Sequence, residues 1–127
     1  KWTRQVLWVD DRPRNNETGR RLFASQAIRC TLALSTAEAL ELLETRRFAA
    51  IISDMGRAEG LTEGYVLLKA LRDRGNQTPY FIYAGSDLPE HHEQALKNGA
   101  QGSTNDVARL FLWVSEQVEK ASPGFKH

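Results

Sequence analysis

The chain has 127 residues, 41% of them hydrophobic and 26% charged, and a formal net charge of +1. That length suits a single domain with a core large enough to fold without a disulfide or a structural metal. The near-neutral balance provides no field for nucleic acid or a membrane surface, and no stretch reads as a membrane span or a signal peptide. The lone Cys30 cannot form an internal disulfide, so a reducing compartment and a cytoplasmic location are expected. Cys30 itself reads as a small buried hydrophobe rather than a reactive thiol. A first residue of Lys1 rather than Met suggests processing or a domain taken from a longer chain.

In chain order, strands and helices alternate. Gln5 to Val9 reads as a strand, and Pro13 then suits the first turn of a helix from about Arg14 to Ala27, with Leu22, Phe23 and Ala27 facing inward. Ile28 to Leu34 is the second strand, with Ile28, Cys30, Leu32 and Leu34 alternating against Arg29, Thr31 and Ala33. Ser35 or Thr36 caps the next helix, Glu38 completes a capping box with Ser35, and Ala39, Leu40, Leu42 and Leu43 form its apolar side to about Arg46. Ala49 to Ser53 is the third strand. A glycine-bearing loop from Met55 to Gly64 leads to a helix carrying Tyr65, Leu67, Leu68 and Leu71 and closing at Gly75. Tyr80 to Tyr83 is the fourth strand, and Pro89 to Asn98 the fourth helix, stopped by Gly99. A short polar strand at Gln101 to Thr104 precedes the last helix, Asp106 to about Lys120, striped by Val107, Leu110, Phe111, Val114 and Val118. The core is expected over about residues 5–120, with 121–127 a frayed tail.

This alternation predicts a three-layer α/β sandwich of the flavodoxin-like (βα)5 kind, because parallel strands need helical crossovers that cover both faces. The first, third and fourth strands are almost wholly apolar and belong in the middle, while the second and fifth belong at the edges. The order is therefore 2-1-3-4-5, and its ligand crevice opens at the carboxyl ends of the first and third strands. Those ends are acidic: Val9 runs into Asp10 and Asp11, and Ser53 into Asp54. Three like charges gathered there call for a divalent metal, a basic side chain or a shared proton.

On these residues the chain resembles the receiver domain of bacterial two-component response regulators, over about Gln5 to Val118. The resemblance implies that Asp10 and Asp11 hold Mg²⁺, that Gly56 completes the metal site with its backbone carbonyl, and that Asp54 accepts a phosphoryl group from a histidine kinase or phosphotransfer protein. The chemistry agrees. A few carboxylates and waters suit Mg²⁺, and a carboxylate nucleophile yields a labile acyl phosphate. By the same resemblance the chain is no enzyme beyond phosphorylation and dephosphorylation of its own Asp54. A homodimer through the fourth helix, fifth strand and last helix is implied too.

Four departures stand out from that pattern. The Thr or Ser that usually ends the fourth strand is replaced by Ala84 or Tyr83, leaving Ser86 as a substitute from a loop whose Ala84-Gly85-Ser86 backbone offers N–H groups to an anion. The usual Lys after the fifth strand falls at Asp106, or at best Asn105. The switch aromatic of that strand falls at Ser103. The loop after Asp54 lacks Met-Pro and is two residues longer. Arg12 and Arg57 flank the acids and read as solvated loop arginines rather than replacements for the Lys. His91 and His92 read as surface histidines, Gly56, Gly60 and Gly64 as turn glycines, and Trp113 with Leu112 as cover for the sheet edge or part of an interface.

These readings lead to an atypical receiver domain. The alternatives are a pseudo-receiver that works as a protein-interaction or dimerisation module without phosphorylation, and a flavodoxin-like enzyme acting on a small phosphorylated ligand.

Overall fold

The computed structural model describes residues 1–57 and 60–123. Five parallel strands form one sheet: β1 (Gln5–Val9), β2 (Arg29–Ala33), β3 (Ala50–Ser53), β4 (Tyr80–Tyr83) and β5 (Gly102–Thr104), in the order β2-β1-β3-β4-β5. Five helices connect and follow them: α1 (Glu17–Ser25), α2 (Thr36–Thr45), α3 (Glu63–Asp73), α4 (Pro89–Lys97) and α5 (Val107–Ala121). This is the flavodoxin-like arrangement that the strand compositions predict.

The period-two alternation of the central strands divides the core in two. Leu7, Val9, Ile51, Tyr80 and Ile82 point to one face, where Ala39 of α2, Leu67, Leu68 and Leu71 of α3 and Ala95 of α4 cover them. Val6, Trp8, Ala50, Ile52 and Phe81 point to the other, under Phe23 of α1 and Leu110, Val114 and Val118 of α5. Both faces are therefore sealed, which is why these strands are nearly continuous in apolar residues. Trp113 stacks on Phe81 with ring centroids 5.9 Å apart and lies against Gly102, so it covers the sheet at β5 while Leu112 beside it is 62% exposed.

Three local expectations are corrected. The first helix is shorter than the Arg14–Ala27 run: a 3-10 turn at Pro13–Asn16 precedes α1, and Ala27 is exposed with φ +59° rather than inward-facing. An alanine in the left-handed region costs on the order of 1–2 kcal/mol. Arg4 holds the reversal, donating from Nε to the Ala27 carbonyl at 3.0 Å and from Nη2 to the Gln26 carbonyl. In β2 the expected alternation breaks at its end, where Ala33 is fully buried and Leu34 is exposed, because the Ala33 carbonyl accepts the Asp10 N–H at 3.0 Å and the chain then leaves the sheet. The last helix includes Ala121, so the expected tail begins later; residues 124–127 of it lie outside the described residues.

The caps behave as their residue types demand. Ser35 Oγ accepts the Glu38 N–H at 3.0 Å to open α2, and Asp106 Oδ1 accepts the Ala108 N–H at 2.9 Å to open α5. Gly64 is no turn residue. It sits buried in the first turn of α3, where a Cβ would lie 2.6 Å from the Asp54 carbonyl oxygen. The missing side chain lets α3 start against the strand end that carries Asp54. Gly64→Ala is therefore expected to lower stability by roughly 1–3 kcal/mol through this backbone clash, read as a shift in urea midpoint at unchanged slope.

Candidate functional site

β1 and β3 are direct neighbours in register, with Val9 opposite Ser53. The next residue on each strand is therefore an acid at the same edge of the sheet. The Asp54 N–H bonds the Val9 carbonyl at 3.1 Å, which fixes the two chain ends side by side. One carboxylate oxygen from each of Asp10, Asp11 and Asp54 lies within 4.8 Å of the others. The three acids converge as the sequence predicts. Asp10 is oriented locally, its Oδ1 accepting the Arg12 N–H at 2.8 Å and its Oδ2 facing Asn16 Nδ2 at 3.4 Å.

A crevice of about 590 Å³ opens over this cluster, and Gly56, Arg12, Asn15, Tyr83, Ala84, Gly85 and Asn105 also line it. Gly56 is where the resemblance would put a carbonyl ligand. Asn105, not Asp106, faces the crevice from β5, because Asp106 is turned to cap α5. Ser86 lines a neighbouring pocket with Met55, Tyr65 and His91 instead, and its hydroxyl is paired with His91 Nδ1 at 2.5 Å. Of the proposed Ala84-Gly85-Ser86 anion donors, the Ala84 N–H already bonds the Thr104 carbonyl at 3.2 Å, joining β4 to β5.

The largest correction is Arg57. Read from sequence as a solvated loop arginine, it is buried, with its side chain 0% exposed. Its Nη1 meets Asp54 Oδ1 at 2.5 Å and donates to Ser53 Oγ at 3.0 Å. Its Nη2 donates to Thr36 Oγ1 at 2.5 Å and to the Glu63 carbonyl at 3.2 Å. The guanidinium thus ties the end of β3 to the starts of α2 and α3. Thr36 Oγ1 in turn donates to Glu63 Oε1 at 2.8 Å. The long loop makes this possible: the Arg57 N–H bonds the Gly60 carbonyl at 2.8 Å and the Gly60 N–H returns to Arg57 at 3.0 Å, folding the loop back on itself. Arg12, by contrast, is exposed as expected. The surplus of negative charge pointed to a cation, and an Arg three residues after Asp54 was the available signal; only the burial was illegible.

Elsewhere, His91 is exposed, whereas His92 is half-buried, with Nδ1 on Ser103 Oγ at 2.6 Å and Nε2 on Asp87 Oδ1 at 3.0 Å. Among the described residues the three aspartates are the one acid, histidine or cysteine group with metal-ligating proximity. Burial raises the Cys30 thiol to about 12, which makes it inert.

Asp54 is raised to about 7, chiefly because burial removes water from its charged form; the Arg57 contact opposes that rise and neighbouring Asp10 adds to it. The unfolded aspartate ionises near pH 4, so between about pH 4 and 7 the unfolded chain binds fewer protons and stability falls as pH rises. In metal-free buffer this loss is expected to be on the order of a few kcal/mol, levelling off above pH 7. Asp54→Asn is expected to flatten the profile, checked by urea unfolding at a series of pH values.

The donor set fits a hard divalent cation, since all three side chains offer carboxylate oxygens and line an open crevice. Among known proteins, the family model described as "Response regulator receiver domain" matches residues 6–104. Of solved structures, the receiver domain of the Francisella response regulator 1452 is 26% identical, covers 93% of this chain and 98% of its own, and superposes with a TM-score of 0.83. The chemotaxis response regulator CheY4 of Vibrio cholerae is 23% identical, covering 89% and 97%, with a TM-score of 0.75. The beryllofluoride-activated NtrC4 receiver domain dimer is 19% identical, covering 94% and 99%, with a TM-score of 0.79. No curated protein matches the chain.

Proposed function

The chain belongs to the response regulator receiver domain family, and from that premise we propose that it is an atypical receiver that accepts a phosphoryl group on Asp54 in two-component signalling. The observation that supports this is the convergence of Asp10, Asp11 and Asp54 at the β1–β3 junction. Asp10 and Asp11, with the Gly56 carbonyl, would hold Mg²⁺ beside Asp54. The ion supplies charge neutralisation for the transferring phosphoryl group. An Asp54 carboxylate oxygen attacks phosphorus as the donor's bond to phosphorus breaks, and the electron pair leaves with the donor, a histidine kinase or phosphotransfer protein. The product is an acyl phosphate on Asp54. The chain's own chemistry ends there and with the return of the carboxylate on hydrolysis, so its role is that of a signalling switch rather than an enzyme with turnover.

A second reading is a pseudo-receiver that serves as an interaction module without phosphorylation. It is favoured by Ala84 and Asn105 lining the crevice where the family pattern has a hydroxyl and a lysine. Incubating the chain with a small acyl-phosphate donor and Mg²⁺ separates the two readings. One phosphoryl adduct by intact mass, absent in Asp54→Asn, is expected. No adduct with Mg²⁺ still bound selects the interaction module.

The partner surface fits the implied homodimer. Leu96 of α4 lines a groove with His92, Ser103, Arg109 and Trp113, and Leu112 of α5 is exposed beside Trp113 in the chain. The NtrC4 relative is itself a dimer. Sedimentation of the phosphorylated chain is expected to show a dimer that Leu112→Glu returns to monomer, because a charge at a buried apolar contact stays unpaired. No helix of the described residues is long and apolar enough to cross a membrane.

A further inference from the structure

We propose that Arg57 is the counter-cation of this site, occupying from the β3–α3 loop the electrostatic position that the family pattern gives to a lysine after β5, and sharing Asp54 with the metal. Among the described residues the crevice receives no lysine, and its two basic lining residues are the exposed Arg12 and the buried Arg57. At the β5 end the position is filled by Asn105, which is neutral. The only route for a fixed positive charge to Asp54 among the described residues is thus Arg57, whose Nη1 sits 2.5 Å from Oδ1.

The guanidinium is built in rather than resting there. Ser53 Oγ, Thr36 Oγ1 and the Glu63 carbonyl accept from it at three different elements, and its side chain is wholly buried. A planar guanidinium suits this task, because its fixed fork holds several acceptors at once where an ammonium acts as a point charge. The consequence is competition. A cation at Asp10 and Asp11 must share Asp54 with a positive charge that the fold does not release, so Mg²⁺ binds more weakly than three aspartates alone would bind it. The arriving phosphoryl group in turn meets a fixed positive charge already in place beside Asp54, needing no reorganisation.

This inference rests on the metal-site reading for its ligands, but its deciding measurement does not need phosphorylation. Mg²⁺ affinity is measured by calorimetry at about pH 8.5, with Asp54 ionised, for the wild-type chain, Arg57→Gln and Arg57→Lys. Arg57→Gln is expected to bind Mg²⁺ at least about tenfold more tightly, with Arg57→Lys near the wild-type value, since removing a buried positive charge strengthens attraction to the same acids. Urea unfolding in parallel confirms that each variant is folded, and Arg57→Lys keeps the charge should Arg57→Gln not fold. Equal Mg²⁺ affinity in wild type and Arg57→Gln overturns the proposal, as does Arg57→Lys binding Mg²⁺ as tightly as Arg57→Gln. Adduct formation is the separate readout. If the wild-type chain takes no phosphoryl group, the phosphoacceptor reading fails while the Mg²⁺ comparison still decides the role of Arg57. If it does, Arg57→Gln is expected to slow the transfer by roughly a hundredfold, the scale of removing one preorganised electrostatic contribution, and Arg57→Lys to restore part of it.

Discussion

Placing β1 beside β3 in parallel register forces Asp10 and Asp54 together, and repulsion between them works against the same backbone hydrogen bonds that bring them close. The fold carries this cost with a buried arginine. Arg57 gives Asp54 a partner at 2.5 Å and also donates to Ser53, Thr36 and Glu63. Losing one member of such a buried pair typically costs about 3–5 kcal/mol, because the other charge is left without compensation. The starts of α2 and α3 therefore depend on the same interaction as the acidic cluster.

That dependence gives the site an uneven character. On the β1–β3 side the acids, the loop turn at Arg12 and the crevice are all consistent with cation binding. On the β4–β5 side, Ala84 and Asn105 present neither a hydroxyl nor a positive charge. The side chains near β5 are instead engaged with one another: Ser103 bonds His92, and His92 bonds Asp87. The electrostatic weight of the site has moved from the β5 end to the loop after β3. The guanidinium joins Asp54 to the starts of α2 and α3.

The same shift accounts for loop length and glycine placement. Two extra residues after Asp54 would be neutral decoration on a solvated loop. Here Arg57 and Gly60 pair across the fold-back, and this turns the arginine inward. Gly64 then lets α3 begin against the Asp54 carbonyl, close enough that no Cβ fits between them. Long loop, buried arginine and helical glycine form one device for delivering a cation.

Much of this was determined by the sequence alone. Strand apolarity set the sheet order, because a central parallel strand must be apolar on both faces, and the order then placed Asp10, Asp11 and Asp54 at one strand junction. Capping chemistry located the start of α2, since a hydroxyl at the cap satisfies an N–H that the helix cannot. Only the tertiary structure decided that Ala27 turns away in the left-handed region, that Ser86 faces a neighbouring pocket, and that Asn105 rather than Asp106 meets the crevice. It alone decided the fate of Arg57. Burying a charged side chain depends on acceptors that lie far apart in the chain, here at residues 36, 53, 54 and 63, and no local pattern encodes their meeting.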